Sequence, residues 1–265
     1  MLAELVVWAG VAAAPEARRL GYAKAAVSLW SRRRRCAKVW GDHEMRTRAF
    51  VQSVAESCRR RGTLWLLGGG TLADLPLAEL GALYQRILVF DIALLPGARR
   101  LARRWPNVEL RAADVTGMAA ALNEWRPGLP LPIASAEALR DLDPVPPDCV
   151  LSVNLLSQLP LQPMAWLQKQ GVPRIEAEGF GRAMLQAHLD GLAVLGCQAG
   201  LVADRTRLWR NRAGEAVLKE SALLGVTLPT AIAEWTWPLA PRGEIDPELA
   251  LELQVAAAHV TAAPA

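Results

Sequence analysis

This sequence is poor in the residues that most site chemistries need. It has three histidines and four cysteines (Cys36, Cys58, Cys149, Cys197), scattered and with no C-x-x-C pair. That is a poor metal set, so no metal site is expected. It has two tyrosines, Tyr22 and Tyr84, and neither has a lysine four residues on. No Tyr-x-x-x-Lys pair for hydride transfer can therefore be drawn. No apolar run approaches the roughly 18 to 20 residues of a membrane span. The first twenty residues are apolar, but Glu4 interrupts them and no basic residue precedes them, which makes a poor signal peptide. Scattered thiols without such a leader fit a cytoplasmic protein with reduced cysteines. There is no tandem repeat, and the only low-complexity block is the Ala-rich stretch 256–265.

What is present is apolar material and an uneven charge. The chain has 265 residues, 52% of them hydrophobic, enough for one sizeable domain or a domain with an extension. Residues 1–61 hold 13 Lys and Arg against 5 Asp and Glu, a balance of +8, and the remainder holds 17 against 21, or −4. The expected organisation is a basic, helical N-terminal extension at 1–61, placed to cap a cofactor site, and a Rossmann-like domain at 62–265. The cluster Arg32, Arg33, Arg34 and Arg35 between Trp30 and Trp40 offers either a phosphate-binding patch or a solvated helix face, and the face is the preferred reading. Residues 42–61 are expected to be helical, with His43 and Arg46 on one face.

The chain is organised around 63–77. Four apolar residues, 64–67, run into Gly68, Gly69 and Gly70, and a helical pattern follows over 74–84. A strand, a glycine turn and a helix let backbone approach a nucleotide-like ligand. A second apolar strand, 87–91, closes on Asp91, 23 residues after Gly68, where an acid at a strand tip meets a ribose diol. A helix over 96–105, a strand over 108–112 ending near Asp114, and a helix over 118–125 continue the rhythm. Residues 149–153 form the fourth strand, with Asn154 and Ser157 at its carboxyl end. A helix is expected over 176–195, with His188 in its packed or flanking surface. After residue 199 the pattern becomes antiparallel: a short strand at 201–203, two strands around a polar turn at 211–214, and an alternating strand holding Trp235 and Trp237. The two tryptophans read as sheet packing before pocket lining. Residues 249–260 permit a strand or a helix.

Over about residues 62–210 these features resemble class I S-adenosylmethionine-dependent methyltransferases. The resemblance rests on Gly68, Gly69 and Gly70, on Asp91, on Asp114 and on the strand 148–154. It implies an α/β fold with a mostly parallel seven-stranded sheet and an antiparallel C-terminal part. S-adenosylmethionine would be the cofactor. The glycine loop would lie under its methionine part, Asp91 would hold the ribose hydroxyls, Asp114 would approach the adenine amino group, and Asn154 would border the methyl group. Two positions depart from the family pattern: Leu66 stands where an acid is common, and Leu72 where a small residue is common. Asn154 and His43 are the catalytic candidates.

Two other readings stay open. Gly68, Gly70 and Ala73 also satisfy G-x-G-x-x-G/A, which suits an NAD-dependent oxidoreductase with Asp91 on the ribose. The altered glycine loop also suits a non-catalytic scaffold or binding protein of the same fold. The acceptor is a small molecule or a macromolecule. The acidic balance of the main domain, and the absence of an aromatic Asn-Pro-Pro loop after Asn154, argue against nucleic acid.

Overall fold

The computed structural model describes residues 2–260. Three helices come first: α1 (Leu2–Ala9), α2 (Pro15–Arg19) and α3 (Tyr22–Ser57). Pro15 opens α2, where its fixed φ and missing N–H cost nothing. Gly21, at φ +96°, makes the corner from α2 into α3. A 36-residue helix at 1.5 Å per residue extends about 54 Å. It carries the arginine cluster and residues 42–57 in one piece, and ends at Ser57, before Arg59, Arg60 and Arg61.

The alternation of strand and helix then proceeds through β1 (Thr63–Leu67), α4 (Leu77–Leu83), β2 (Arg86–Asp91), α5 (Pro96–Ala102), β3 (Val108–Ala112), α6 (Met118–Glu124) and β4 (Cys149–Val153). Two helices missed by the apolar spacing or only partly seen in it, α7 (Leu161–Lys169) and α8 (Arg174–Val194), lead to β5 (Gln198–Arg210). The antiparallel ending consists of β6 (Ala216–Ser221), β7 (Ala231–Ala240) and β8 (Ala250–Val260). The Ala-rich stretch enters β8 up to residue 260, and 261–265 lie outside the described residues.

The sheet order is β3-β2-β1-β4-β5-β8-β7, with β6 paired to β5. The first five strands are parallel, while β8 runs antiparallel to β5 and β7. This is the Rossmann-like, mostly parallel α/β sheet with an antiparallel C-terminal part that the residues lead one to expect. The sheet has eight strands where seven were expected. The extra strand arises because β5 is one 13-residue strand: its first part pairs with β4, and its distal part turns back as a hairpin with β6. The helix alternative for 249–260 is excluded, because a β strand there supplies hydrogen bonds to two neighbours.

Both faces of the inner parallel strands are covered, so β1 and β4 are buried at every residue. This explains why both are apolar apart from Thr63 and Ser152. Alternate residues sort cleanly. Leu64, Leu66, Val89, Leu151 and Val153 face the α3 side, and Trp65, Leu67, Leu88, Phe90 and Val150 face the α8 side. Phe50, Val51, Val54 and Ala55 of α3 belong to the first core. Full burial of a side chain of this size stabilises by roughly 1.5 to 3 kcal/mol, so the second half of α3 is anchored firmly to the sheet.

Candidate functional site

Parallel strands carry their ligands at the carboxyl edge, where the chain leaves each strand for its helix. A cavity of about 180 Å³ lies there. Its floor is the glycine turn after β1, Asp91 after β2, Asp114 after β3 and Asn154 after β4. Its roof is α3, through Tyr22, Leu29, Arg33, Trp40, His43 and Glu44. These positions repeat at three, four and seven residues, which is one face of a helix.

The glycine turn has a specific shape. At Gly68 φ is +92°, and a Cβ would lie 2.6 Å from the Val153 carbonyl oxygen. Only glycine lets β1 leave the sheet beside β4 there. At Gly70 φ is +49°, and a Cβ would meet nothing within 4 Å, so this backbone borders open space. Leu72 adopts φ +62° with its side chain buried in the α3-side core. The loop therefore keeps a left-handed turn where glycine is usual, at a cost of roughly 1 to 2 kcal/mol. Leu66 is fully buried within β1, and no acid occupies its place.

Asp91 ties the turn to β2. Its Oδ2 accepts from the Gly70 N–H at 2.7 Å and its Oδ1 from the Ala93 N–H at 3.0 Å. The carboxylate keeps further acceptor capacity. Burial raises its pKa, and the backbone donors at Gly70, Ala93 and Ile92 oppose the rise. Asp114 is engaged mainly with its own loop. Its Oδ1 accepts from the Thr116 N–H and hydroxyl at 2.9 and 2.7 Å, and its Oδ2 from the Ala119 N–H at 2.7 Å. It closes the turn into α6 while its residue lines the cavity.

Asn154 is the residue that the strand pattern would misplace. Ser152 points to the α8 side, where its Oγ lies 2.9 Å from His188 Nε2. Alternation would send Asn154 the same way. Its φ of +50° turns it instead toward α3, a conformation that asparagine tolerates better than most residues. Its Nδ2 lies 2.7 Å from Asp74 Oδ2 and 3.1 Å from His43 Nε2. His43 Nδ1 in turn accepts from Trp235 Nε1 at 3.0 Å. The imidazole stacks on Trp237, with ring centres 3.8 Å apart and planes 4° apart. Burial pushes the His43 pKa down to about 3, so the ring is neutral. Burial raises the pKa of Asp74.

No family model matches this chain, and no curated protein matches it. Solved structures do. A 1,6-didemethyltoxoflavin-N1-methyltransferase from Burkholderia thailandensis, with S-adenosylhomocysteine bound, is 15% identical, with 87% of each chain covered and a TM-score of 0.36. The N-methyltransferase NodS from Bradyrhizobium japonicum WM9 is 12% identical, covering 80% of this chain and 85% of that one, with a TM-score of 0.34. An rRNA methylase from Streptococcus thermophilus is 14% identical, covering 80% and 94%, with a TM-score of 0.33.

The six expected cofactor residues and His43 all line one cavity. His188 does not: it is buried on the opposite face. Several lining residues carried no functional signal in the sequence. Asp74 opens the helical pattern over 74–84, and Tyr22 and Glu44 lie in the stretch expected to be helical, with no role assigned to any of them; Arg33 belongs to the arginine cluster whose preferred reading is a solvated helix face. Trp237, expected as packing, does pack, yet it also walls the cavity. Three arginines of the cluster are engaged with acids: Arg33 doubly with Glu44, and Arg32 and Arg35 with Glu244. Arg34 lies over the Trp30 ring at 4.9 Å. Among the described residues there is no group of three or more His, Cys, Asp or Glu placed to hold a metal. None of their helices is long and apolar enough to cross a membrane.

Proposed function

We propose that this chain is an S-adenosylmethionine-dependent methyltransferase acting on a small molecule. The observation that carries the reading is the convergence of the glycine turn, Asp91 and Asn154 on one roofed cavity at the carboxyl edge of a parallel sheet. The residues present suit the cofactor. Open space beside Gly70 admits a ligand against bare backbone. The remaining acceptor capacity of Asp91 suits a ribose hydroxyl. The second amide heteroatom of Asn154 is buried with no partner, which leaves a hydrogen-bonding position for a ligand to fill.

In this reading Gly68, Gly69 and Gly70 lie under the methionine part, Asp91 accepts from the ribose, Asp114 flanks the adenine, and Asn154 borders the methyl group. When bound, the cofactor supplies a methyl group already activated on a sulfonium. The protein's part is then positioning and exclusion of water. Trp40, Trp237 and Leu29 supply apolar wall for that, and Asp91 and Glu44 supply negative charge suited to a cation. The small acceptor is favoured because α3 roofs the cavity and because Arg32, Arg33 and Arg35 are already bound to acids.

Calorimetry with S-adenosylhomocysteine and with NADH tests the reading. Binding of the first and not the second is expected. NADH binding alone would move the protein to the oxidoreductases. A folded protein that binds neither at millimolar concentration would be a scaffold, the reading that Leu66 and Leu72 favour.

A further inference from the structure

Only one arrangement of protons makes every contact joining Trp235, His43, Asn154 and Asp74 a hydrogen bond. An indole N–H can donate and cannot accept. His43 Nδ1, 3.0 Å from Trp235 Nε1, must therefore carry its lone pair. A neutral imidazole then has its hydrogen on Nε2. That donor faces the Asn154 amide at 3.1 Å, and only the amide oxygen can accept from it. Amide oxygen and nitrogen are interchangeable in shape and are assigned by their network. The atom facing His43 is therefore the oxygen. The same atom lies 2.7 Å from Asp74 Oδ2, and two oxygens at that distance make a hydrogen bond only when one carries a proton. That proton belongs to Asp74. The opposite amide orientation sets N–H against N–H at His43. A doubly protonated His43 sets N–H against N–H at Trp235.

We propose that Asp74 is the proton acceptor of this site, and that Trp235, His43 and Asn154 form the chain that holds a proton on it. With Asp74 ionised, one donor faces another somewhere along the chain. With Asp74 protonated, every contact is a hydrogen bond. Taking up a proton is thus coupled to relief of a buried conflict, which suits a general base. The proposal rests on the methyltransferase reading for the source of that proton. The methyl acceptor is then a group that must lose one, an N–H or an O–H. Its bond to hydrogen breaks, the electron pair stays on the nitrogen or oxygen that gains the methyl group, and the proton forms an O–H bond on the Asp74 carboxylate. The charged groups around Asp74 leave this arrangement intact. From α3, Arg33 is held by Glu44 through two hydrogen bonds and Arg48 donates to the Ala73 carbonyl. From β2, Asp91 is occupied by backbone donors.

The test is a carboxyl carbon NMR titration of the full chain labelled at aspartate, with Asp74→Asn to assign the signal. The expected Asp74 midpoint lies above the ordinary aspartate value of about 3.9. Trp235→Phe frees His43 to carry its hydrogen on Nδ1, and the amide can then turn its nitrogen to an ionised Asp74. The midpoint should fall by at least one pH unit, a tenfold change in proton affinity. His43→Phe keeps the stack on Trp237, removes both ring nitrogens and should have the same effect, so it serves if Trp235→Phe does not fold. An ordinary midpoint in the wild type, or one unmoved by either variant, overturns the proposal. Calorimetry with S-adenosylhomocysteine separates the roles: Asp74→Asn should bind within threefold of the wild type. A loss beyond tenfold assigns Asp74 to the cofactor and overturns its role as proton acceptor. The titration needs no cofactor, so failure of the wild type to bind S-adenosylhomocysteine would sink the methyltransferase reading without touching the proton on Asp74.

Discussion

His43 and His188 are both buried, both neutral, and both in contact with the end of β4, yet they sit on opposite faces of the sheet. His188 lies on the closed face, against Ser152, with Nδ1 unpartnered. His43 lies on the open face, between the Trp237 ring and the Asn154 amide, at the cavity wall. Burial lowers both pKa values, to about 4 for His188 and about 3 for His43. A depressed pKa is therefore no guide to function here. What separates the two is the neighbourhood: one ring borders a void of only about 10 Å³, and the other belongs to a polar chain that reaches the cavity of about 180 Å³.

The largest expected effect concerns the closed face. A histidine depressed in the fold stabilises the protein above its unfolded pKa, near 6.5. That contribution is lost as pH falls toward the folded value. For His188 the loss amounts to roughly 3 kcal/mol between pH 6.5 and 4. Asp204, raised by burial to about 6, works the other way, because its contribution is full at low pH and is lost as pH rises through that value. Comparing wild type with Ser152→Ala/His188→Leu cancels Asp204. Denaturant melts should show the variant's stability falling less with acid, while its affinity for S-adenosylhomocysteine stays unchanged. Weakened binding would break the division between the faces.

Asp91→Ala is the counterpart on the open edge. Charge-assisted hydrogen bonds contribute roughly 1.5 to 3 kcal/mol each, so affinity for S-adenosylhomocysteine should fall about a hundredfold by calorimetry. An unchanged dissociation constant would remove the ribose assignment. Leu72→Gly tests the loop between the two regimes. It relieves a left-handed leucine at roughly 1 to 2 kcal/mol and removes a buried side chain whose loss costs roughly 3 kcal/mol. A net destabilisation of about 1 to 2 kcal/mol is expected in melts. A more stable variant would mean that strain dominates. The smallest effect belongs to Asp114→Ala, which removes the acceptor of the Thr116 and Ala119 N–H groups. A loss of about 1 kcal/mol of stability is expected, as for other caps. A far larger loss of ligand affinity than of stability would show that Asp114 serves the cavity before the helix.

Much of the α/β half was legible because its signals are local. Residues 64–67 and 87–90 are continuous apolar runs, as double-sided burial requires, and β3 and β4 fall at the expected residues. Boundaries drifted where the signal was weak. The helix expected from residue 74 starts at Leu77, because residues 68–76 are spent on the turn. The 201–203 strand was read far too short, since β5 crosses from a buried parallel environment to a half-exposed antiparallel one and its pattern changes midway.

The sequence by itself determined the glycine turn, the acid at Asp91 and the alternation of strands and helices. Each depends on residues close together in the chain, where backbone sterics and burial periodicity act directly. Only the tertiary structure decided what surrounds that turn. Folding α3 across the strand ends brings His43 to Asn154, 111 positions away, and to Trp235, 192 away. One left-handed residue then turns Asn154 from the face its strand assigned to the face that holds Asp74. No local pattern encodes that meeting, because it depends on how a 36-residue helix crosses a sheet and on one backbone angle at the end of β4.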